Sequence, residues 1–126
     1  MIKKRLASFG YAFRGIATLI RTQPNARIHL LATLVVTGGG IYFPLTRFEW
    51  VMIILVIGLV WMAEALNTAL EFLTDLVSPE YHPLAGKAKD VAAAGVLLAA
   101  LTALITGVLI FGPHIIVLLK NETPVF

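Results

Sequence analysis

The sequence predicts an all-α integral membrane protein, with three transmembrane helices and an N-terminal amphipathic helix in the plane of the membrane. Hydrophobic residues make up 59% of the chain and charged residues only 13%. In soluble domains about a quarter of the residues are usually charged. The apolar residues also fall into three long stretches separated by short polar segments. The 126 residues form a single domain, residues 1–126.

The composition excludes several classes of function. The chain contains no cysteine, which excludes disulfides, thiolate metal sites and a cysteine nucleophile. The net charge of +3 is too small and too dispersed to predict nucleic acid as a partner, and a membrane surface explains it better. The first thirty residues carry basic residues throughout and lack the apolar core of a signal peptide.

Residues 3–22 are predicted to form the amphipathic surface helix. Aromatic and aliphatic residues recur on one face at helical spacing, and cations occupy the opposite face. A helix of this kind lies in the membrane interface rather than spanning it. A soluble-type helix packed on the other helices is the alternative. The apolar face holds Leu6, Phe9, Phe13, Ile16 and Ile20, and the opposite face holds Lys4, Tyr11, Arg14, Thr18 and Arg21.

Residues 26–45, 48–77 and 90–111 are the three predicted transmembrane helices. At 1.5 Å per residue the second is about 45 Å long, whereas the hydrocarbon core is about 30 Å thick. Its last turns therefore protrude into the polar zone. We expect the third helix to end at the Gly112–Pro113 pair.

The distribution of basic residues predicts the orientation. Eight of the ten Lys and Arg residues lie on the side of the N terminus and of the polar segment 78–89, and only Arg47 and Lys120 lie on the other side. The positive-inside rule places the first side in the cytoplasm. The polar segment therefore faces the compartment that holds ATP.

A polar strip lies where the second predicted span leaves the apolar layer. On a helix, Glu64, Asn67, Glu71 and Asp75 fall at i, i+3, i+7 and i+11, so they line one face. Acidic residues at membrane depth are costly, and the usual reason for keeping them is function. The strip is therefore the candidate functional site.

The residue types in this strip indicate phosphoryl transfer. Glu64 lies at the apolar boundary, where a carboxylate suits a general base for a lipid hydroxyl presented at that depth. Glu71 is predicted to hold Mg²⁺, which commonly takes one or two protein carboxylates plus substrate phosphates. Lys89 offers its charge to those phosphates, and Asn67 can orient Glu64 or the substrate. The chain has no P-loop, because no Gly-rich loop precedes a Lys and Ser/Thr pair.

The spacing alone leaves other functions open. Polar residues on one face of a membrane helix often only hydrogen-bond to neighbouring helices. A small proton-coupled transporter also depends on an intramembrane glutamate, although such proteins generally have four spans and need no polar KAKD segment. A non-enzymatic membrane scaffold is a third possibility.

The stretch 64–90, EALNTALEFLTDLVSPEYHPLAGKAKD, resembles the signature of the small prokaryotic diacylglycerol kinases, a family that includes the undecaprenol kinases. Its E-x-x-N-x-x-x-E and H-x-L-x-x-K-A-K-D patterns are specific. The resemblance extends across the chain, from the amphipathic first helix through PNARIHL to KAKDVAA. It implies a homotrimeric enzyme of the bacterial inner membrane, with active sites shared between subunits, that uses MgATP to phosphorylate a lipid alcohol.

The resemblance also implies roles for individual residues. Glu64 corresponds to the catalytic base, Asn67 to its neighbour in the active site, and Glu71 to a metal-binding carboxylate. Lys89 and Asp90 match the pair nearest the phosphates. The remaining nucleotide contacts implied are Lys4, Tyr11, Glu80, Tyr81 and His82.

One position departs from the family pattern. The second metal-binding carboxylate, eight residues after the glycine that matches Gly15, is Gln23 in this chain. An amide oxygen can ligate Mg²⁺ but brings no charge, so we expect weaker metal affinity or reduced turnover; a pseudokinase of the same family is the related alternative.

Diacylglycerol and undecaprenol both offer a primary hydroxyl at the interface, and PNARIHL is closer to the undecaprenol kinases.

Overall fold

A computed structural model of the protein describes residues 2–122. They form four α-helices in chain order, and no strand occurs among them. The predicted all-α class is confirmed. The helices are α1 (Ile2–Thr22), α2 (Pro24–Tyr42), α3 (Arg47–Val77) and α4 (Pro83–Glu122).

Local sequence signals explain where the helices begin. Pro24 occupies the first turn of α2, where its missing N–H costs nothing, and Gln23 precedes it in an extended conformation. At the start of α3, the Thr46 hydroxyl accepts from the backbone N–H of Glu49 at 3.2 Å. The Glu49 carboxylate in turn accepts from the backbone N–H of Thr46 at 2.7 Å, which completes a capping box.

The prediction that the third span ends at Gly112–Pro113 is wrong as a statement about the helix, because α4 continues through Pro113 to Glu122. Apolar helices tolerate an internal proline when neighbouring groups compensate for the lost backbone bond. Contacts beyond the proline accompany this continuation. His114 lies 3.2 Å from the carboxylate of Glu49, and its ring centroid is 5.6 Å from that of Phe43.

The start of α4 also differs from the predicted span, because the helix begins at Pro83 rather than near residue 90. His82 caps it: the backbone N–H of Leu84 donates to the His82 Nδ1 at 3.1 Å. Lys87, Lys89 and Asp90 therefore lie on the first turns of a long helix and not in a loop.

Helix α3 is the centre of the molecule, since each of the other three helices packs against it and α4 does so most extensively. The small buried core is contributed mainly by α3 and α4. Most large apolar side chains elsewhere are exposed, as expected when lipid rather than water surrounds the helices. The buried apolar residues of α3 and α4 are Ile53, Val60, Val96, Ala99 and Ile110.

Within residues 2–122, α3 and α4 are the helices long and apolar enough to cross a membrane. This agrees with an all-α integral membrane protein. The first turns of α2 carry Asn25, Arg27 and His29, which shortens its apolar part. That α2 also crosses the membrane, as the first of the three predicted spans, stays a prediction.

Candidate site on helix α3

The polar strip lies on α3, and its first two residues, Glu64 and Asn67, face the inside of the molecule. Glu64 is 1% exposed, Asn67 6% and Thr68 4%, although polar residues are rarely so buried without partners. The helical spacing predicted Glu64 and Asn67 on one face, and the structure confirms that placement. It adds Thr68, which the spacing did not select.

The side chain of Asn67 is hydrogen-bonded to that of Glu71. Its side-chain Nδ2 donates to the Glu71 Oε1 at 3.2 Å, one turn along the helix. The sequence suggested that Asn67 orients Glu64 or the substrate, whereas this bond holds the carboxylate of Glu71. The Asn67 Oδ1 has no hydrogen-bond partner although it is buried.

His29 on α2 is the residue that faces Glu64. The His29 Nε2 lies 3.6 Å from the Glu64 Oε2. The sequence alone assigned His29 no role in the site. Nothing in its spacing points to Glu64, thirty-five positions later, because the contact is made between helices.

Several buried polar atoms around Glu64 have no hydrogen-bond partner among the described residues. Leaving such a group unpaired costs about 1–3 kcal/mol, so unpaired groups in a native structure require an explanation. A ligand that brings its own donors and acceptors provides one. The atoms are the His29 Nε2, both carboxylate oxygens of Glu64, the Asn67 Oδ1 and the Thr68 Oγ1.

Two cavities meet near this cluster. A cleft of about 330 Å³, the polar cleft, is bordered by Asn25, His29, Asn67 and Glu71, and apolar residues of α4 form its other wall. A larger groove of about 600 Å³, the apolar groove, runs between α2, α3 and α4 and is lined almost entirely by apolar side chains. His29 borders both cavities.

Glu71 is the carboxylate that borders the polar cleft and could hold a divalent cation there. Within the described part of the chain, no three His, Asp or Glu side chains are grouped so as to hold a metal. Glu71 supplies one carboxylate. One is enough for Mg²⁺, which usually completes its coordination shell with waters and substrate phosphates. Gln23 is half-buried before α2 and does not border the cleft, whereas Asn25 does.

Lys89 is paired with Asp75, the last residue of the polar strip. Its ammonium forms an ion pair with the carboxylate of Asp75, linking α4 to α3. Both side chains are exposed. The helical spacing placed Asp75 on the polar strip but did not reveal its partner, because the two residues lie on different helices.

The other residues implied by the resemblance lie at the surface of this single chain. Tyr11 is exposed, and the guanidinium of Arg14 lies 4.6 Å from its ring centroid. His82 uses its Nδ1 to cap α4, so its neutral ring carries the proton on Nε2. Lys4, Glu80, Tyr81 and Asp90 are exposed.

Comparison with known proteins identifies relatives over most of the chain. Residues 10–111 match the family described as prokaryotic diacylglycerol kinase. An undecaprenol kinase of Bacillus subtilis is 42% identical over 108 residues, covering 86% of this chain and 88% of that protein. A diacylglycerol kinase of Synechocystis sp. is 43% identical over 103 residues, 81% of this chain and 59% of that protein. A diacylglycerol kinase of Escherichia coli K12 is 30% identical over 105 residues, 83% of this chain and 86% of that protein.

Proposed function

Because the chain belongs to the prokaryotic diacylglycerol kinase family and is a lipid kinase, we propose how its site works. The γ-phosphoryl group of MgATP is transferred directly to the hydroxyl of a membrane lipid alcohol. Glu64 is the base that takes the hydroxyl proton, and Asn67 is its neighbour in the site. The substrates meet at the polar strip of α3.

The burial of Glu64 is the observation that carries this proposal. Its carboxylate is 1% exposed and both oxygens lack partners. It faces His29, which borders both the apolar groove and the polar cleft. A lipid hydroxyl carried by an apolar chain and a phosphate held in a polar cleft would meet at this junction.

Glu71 and Gln23 are the proposed metal-binding residues. Glu71 is oriented by Asn67 at the edge of the polar cleft, and this supports its role. Bound Mg²⁺ supplies positive charge that stabilises the transferring phosphoryl group. Gln23 contributes a neutral oxygen where relatives of this type are expected to carry a carboxylate, and for this reason metal binding is weaker.

The nucleotide contacts are proposed for two residues of α1 and for residues around the start of α4. Lys89 and Asp90 are placed nearest the phosphates, where Lys89 exchanges its bond to Asp75 for the nucleotide. His82 has its Nε2 left for the nucleotide because its Nδ1 caps α4. The other contacts are Lys4, Tyr11, Glu80 and Tyr81.

The proposed assembly is a homotrimer in the bacterial inner membrane, with three spans per chain and a cytoplasmic N terminus. Leu6, Phe9 and Phe13 on α1 are exposed, so their face is free to lie in the interface. Residues implied to contact nucleotide are exposed in the single chain, and this is consistent with active sites that a second subunit completes.

The acceptor is a lipid alcohol with a primary hydroxyl at the membrane interface, diacylglycerol or undecaprenol. The identities of 42% to an undecaprenol kinase and 43% to a diacylglycerol kinase do not separate the two. The decisive experiment incubates purified protein with ATP labelled at the γ-phosphate and a panel of lipid alcohols. We expect label in one of these two lipids, with omission of Mg²⁺ as the control.

The same assay distinguishes the proposed kinase from the two alternative functions. A proton-coupled transporter would leave all lipids unlabelled and would drive uptake into proteoliposomes under a pH gradient. A pseudokinase scaffold would bind nucleotide without phosphorylating any alcohol. Either result would contradict the proposed reaction.

A further inference from the structure

His29 occupies the one position on α2 that touches the proposed base and also borders both cavities. Its side chain is among the residues that line both the apolar groove and the polar cleft, together with Ile28 and Ala100. The residue is therefore placed where the two substrates of a lipid kinase have to meet. Its side chain is only 15% exposed, compared with 1% for Glu64 behind it.

The facing atoms of His29 and Glu64 are close but do not form a hydrogen bond. The Nε2–Oε2 distance of 3.6 Å is longer than a normal hydrogen bond, and the His29 Nε2 and both Glu64 oxygens lack partners. A carboxylate oxygen can only accept, so the favoured tautomer of His29 carries its hydrogen on Nε2. A donor and an acceptor thus face each other without closing the bond.

One hydrogen bond between α3 and α2 and a second within α2 connect Trp61 to the backbone of His29. The Trp61 Nε1 donates to the Thr33 Oγ1 at 3.0 Å, and the Thr33 hydroxyl donates to the backbone carbonyl of His29 at 2.7 Å. Trp61 lies one turn before Glu64 on the same helix. These two hydrogen bonds therefore help to keep His29 next to Glu64, in addition to the contact between the two side chains.

We propose that His29 aligns the hydroxyl group of the acceptor lipid with Glu64 at the junction of the apolar groove and the polar cleft. This inference rests on the proposed function, in which Glu64 is the base. The ring turns aside as the acceptor enters, and its Nε2–H then donates to the hydroxyl oxygen, whose proton points to Glu64.

The step balances without any further reactant. The O–H bond of the acceptor breaks and its proton passes to the carboxylate of Glu64. The hydroxyl oxygen forms a bond to the γ-phosphorus of MgATP, and the bond from that phosphorus to the bridging oxygen breaks, leaving ADP. His29 gives up no proton in this step, since it only orients the nucleophile.

The surroundings of His29 contain no competing cation among the described residues that border the polar cleft. The acidic groups facing it from α3 are Glu64 and Glu71, and its neighbour from α2 is Asn25. The wall from α4 is apolar, and consists of Ala93, Val96, Leu97 and Ala100.

Two substitutions of His29 separate hydrogen bonding from packing. His29→Gln keeps an N–H donor at a similar distance from the backbone, whereas His29→Leu fills the space without one. We expect His29→Leu to lower kcat about 100-fold, the loss that a misplacement of about 1 Å causes at a reacting group. His29→Gln should retain most of the turnover, and both variants should keep the KM for MgATP.

The matched control is His114→Leu, the same substitution at the far end of α4, which should leave kcat unchanged. Wild-type turnover in His29→Leu, or equal losses in the Leu and Gln variants, would overturn the alignment role. A wild-type protein that phosphorylates no alcohol would overturn the proposed function as well, so the two failures are distinguishable.

A second measurement does not depend on turnover. An apolar carbodiimide modifies carboxyl groups that it can reach, and peptide mass spectrometry locates the product. If His29 covers the carboxylate, His29→Ala should be modified at Glu64 at least several times faster than the wild type, with Glu64→Gln as the blank. Equal rates at Glu64 would show that His29 does not stand over the base and would overturn the inference.

Discussion

The ammonium of Lys89 on α4 pairs with the carboxylate of Asp75 on α3. Both side chains are exposed, and exposed pairs contribute little to stability. The consequence is electrostatic, since the acid neutralises the charge that is proposed to face the phosphates of ATP. If Lys89 faces the phosphates as proposed, binding of nucleotide would compete with this pair.

Removing the competing acid should strengthen nucleotide binding. We expect Asp75→Asn to lower the KM for MgATP about two- to fivefold, in line with the small energy of an exposed pair. Lys89→Met should raise the same KM, and Asp75→Glu is the control that preserves the pair. Steady-state kinetics at saturating lipid measure all three. An unchanged KM in both Asp75→Asn and Lys89→Met would exclude Lys89 from the phosphate site.

Removing the proposed base should abolish turnover without unfolding the protein. We expect Glu64→Gln to reduce kcat by about 10²–10⁴-fold, the usual range for general-base catalysis, because an amide of similar shape cannot take the proton. The same change at Glu49, at the other end of α3, is the matched control. Labelled-lipid formation and size-exclusion chromatography measure activity and assembly. Near wild-type labelling by Glu64→Gln would refute the assignment.

The amide at position 23 should limit metal affinity. Gln23→Glu restores a charge, so we expect it to lower the Mg²⁺ concentration that gives half-maximal activity, whereas Glu71→Gln should raise it. A Mg²⁺ titration at fixed ATP compares the two variants with the wild type. If Gln23→Glu left the titration curve in place, Gln23 would lie outside the metal site.

Two glycines of α2 should respond oppositely to alanine. A Cβ added at Gly40 would lie 2.7 Å from the Trp50 ring and 3.2 Å from the Leu45 side chain, whereas one at Gly38 meets nothing within 4 Å. Gly38→Ala should therefore stabilise the helix by up to about 1 kcal/mol. Gly40→Ala loses that gain because overpacking costs about 1–3 kcal/mol.

Thermal unfolding in one detergent measures the difference between these glycine variants. We expect Gly38→Ala to have a Tm equal to or above that of the wild type and Gly40→Ala to have a lower one. The reverse order would show that Trp50 moves away without cost.

Several features of the protein followed from the sequence alone because they depend on local patterns. Apolar stretches predicted helices, and helical spacing placed Glu64 and Asn67 on one face of α3. Pro24 stands in the first turn of α2, where proline is favoured by its fixed backbone geometry. Pro113 misled the prediction, because a proline disrupts a helix locally while contacts of His114 with Glu49 and Phe43 lie beyond it.

Sequence by itself determined the class of the protein, the family motif and the face of α3 that carries the acids, since all three depend on residue type and periodicity along one chain. Only the tertiary structure decided which groups meet: His29 with Glu64, Lys89 with Asp75, and Trp61 with Thr33. These pairs join different helices. Their distances depend on how the helices pack, and no spacing within one helix encodes that.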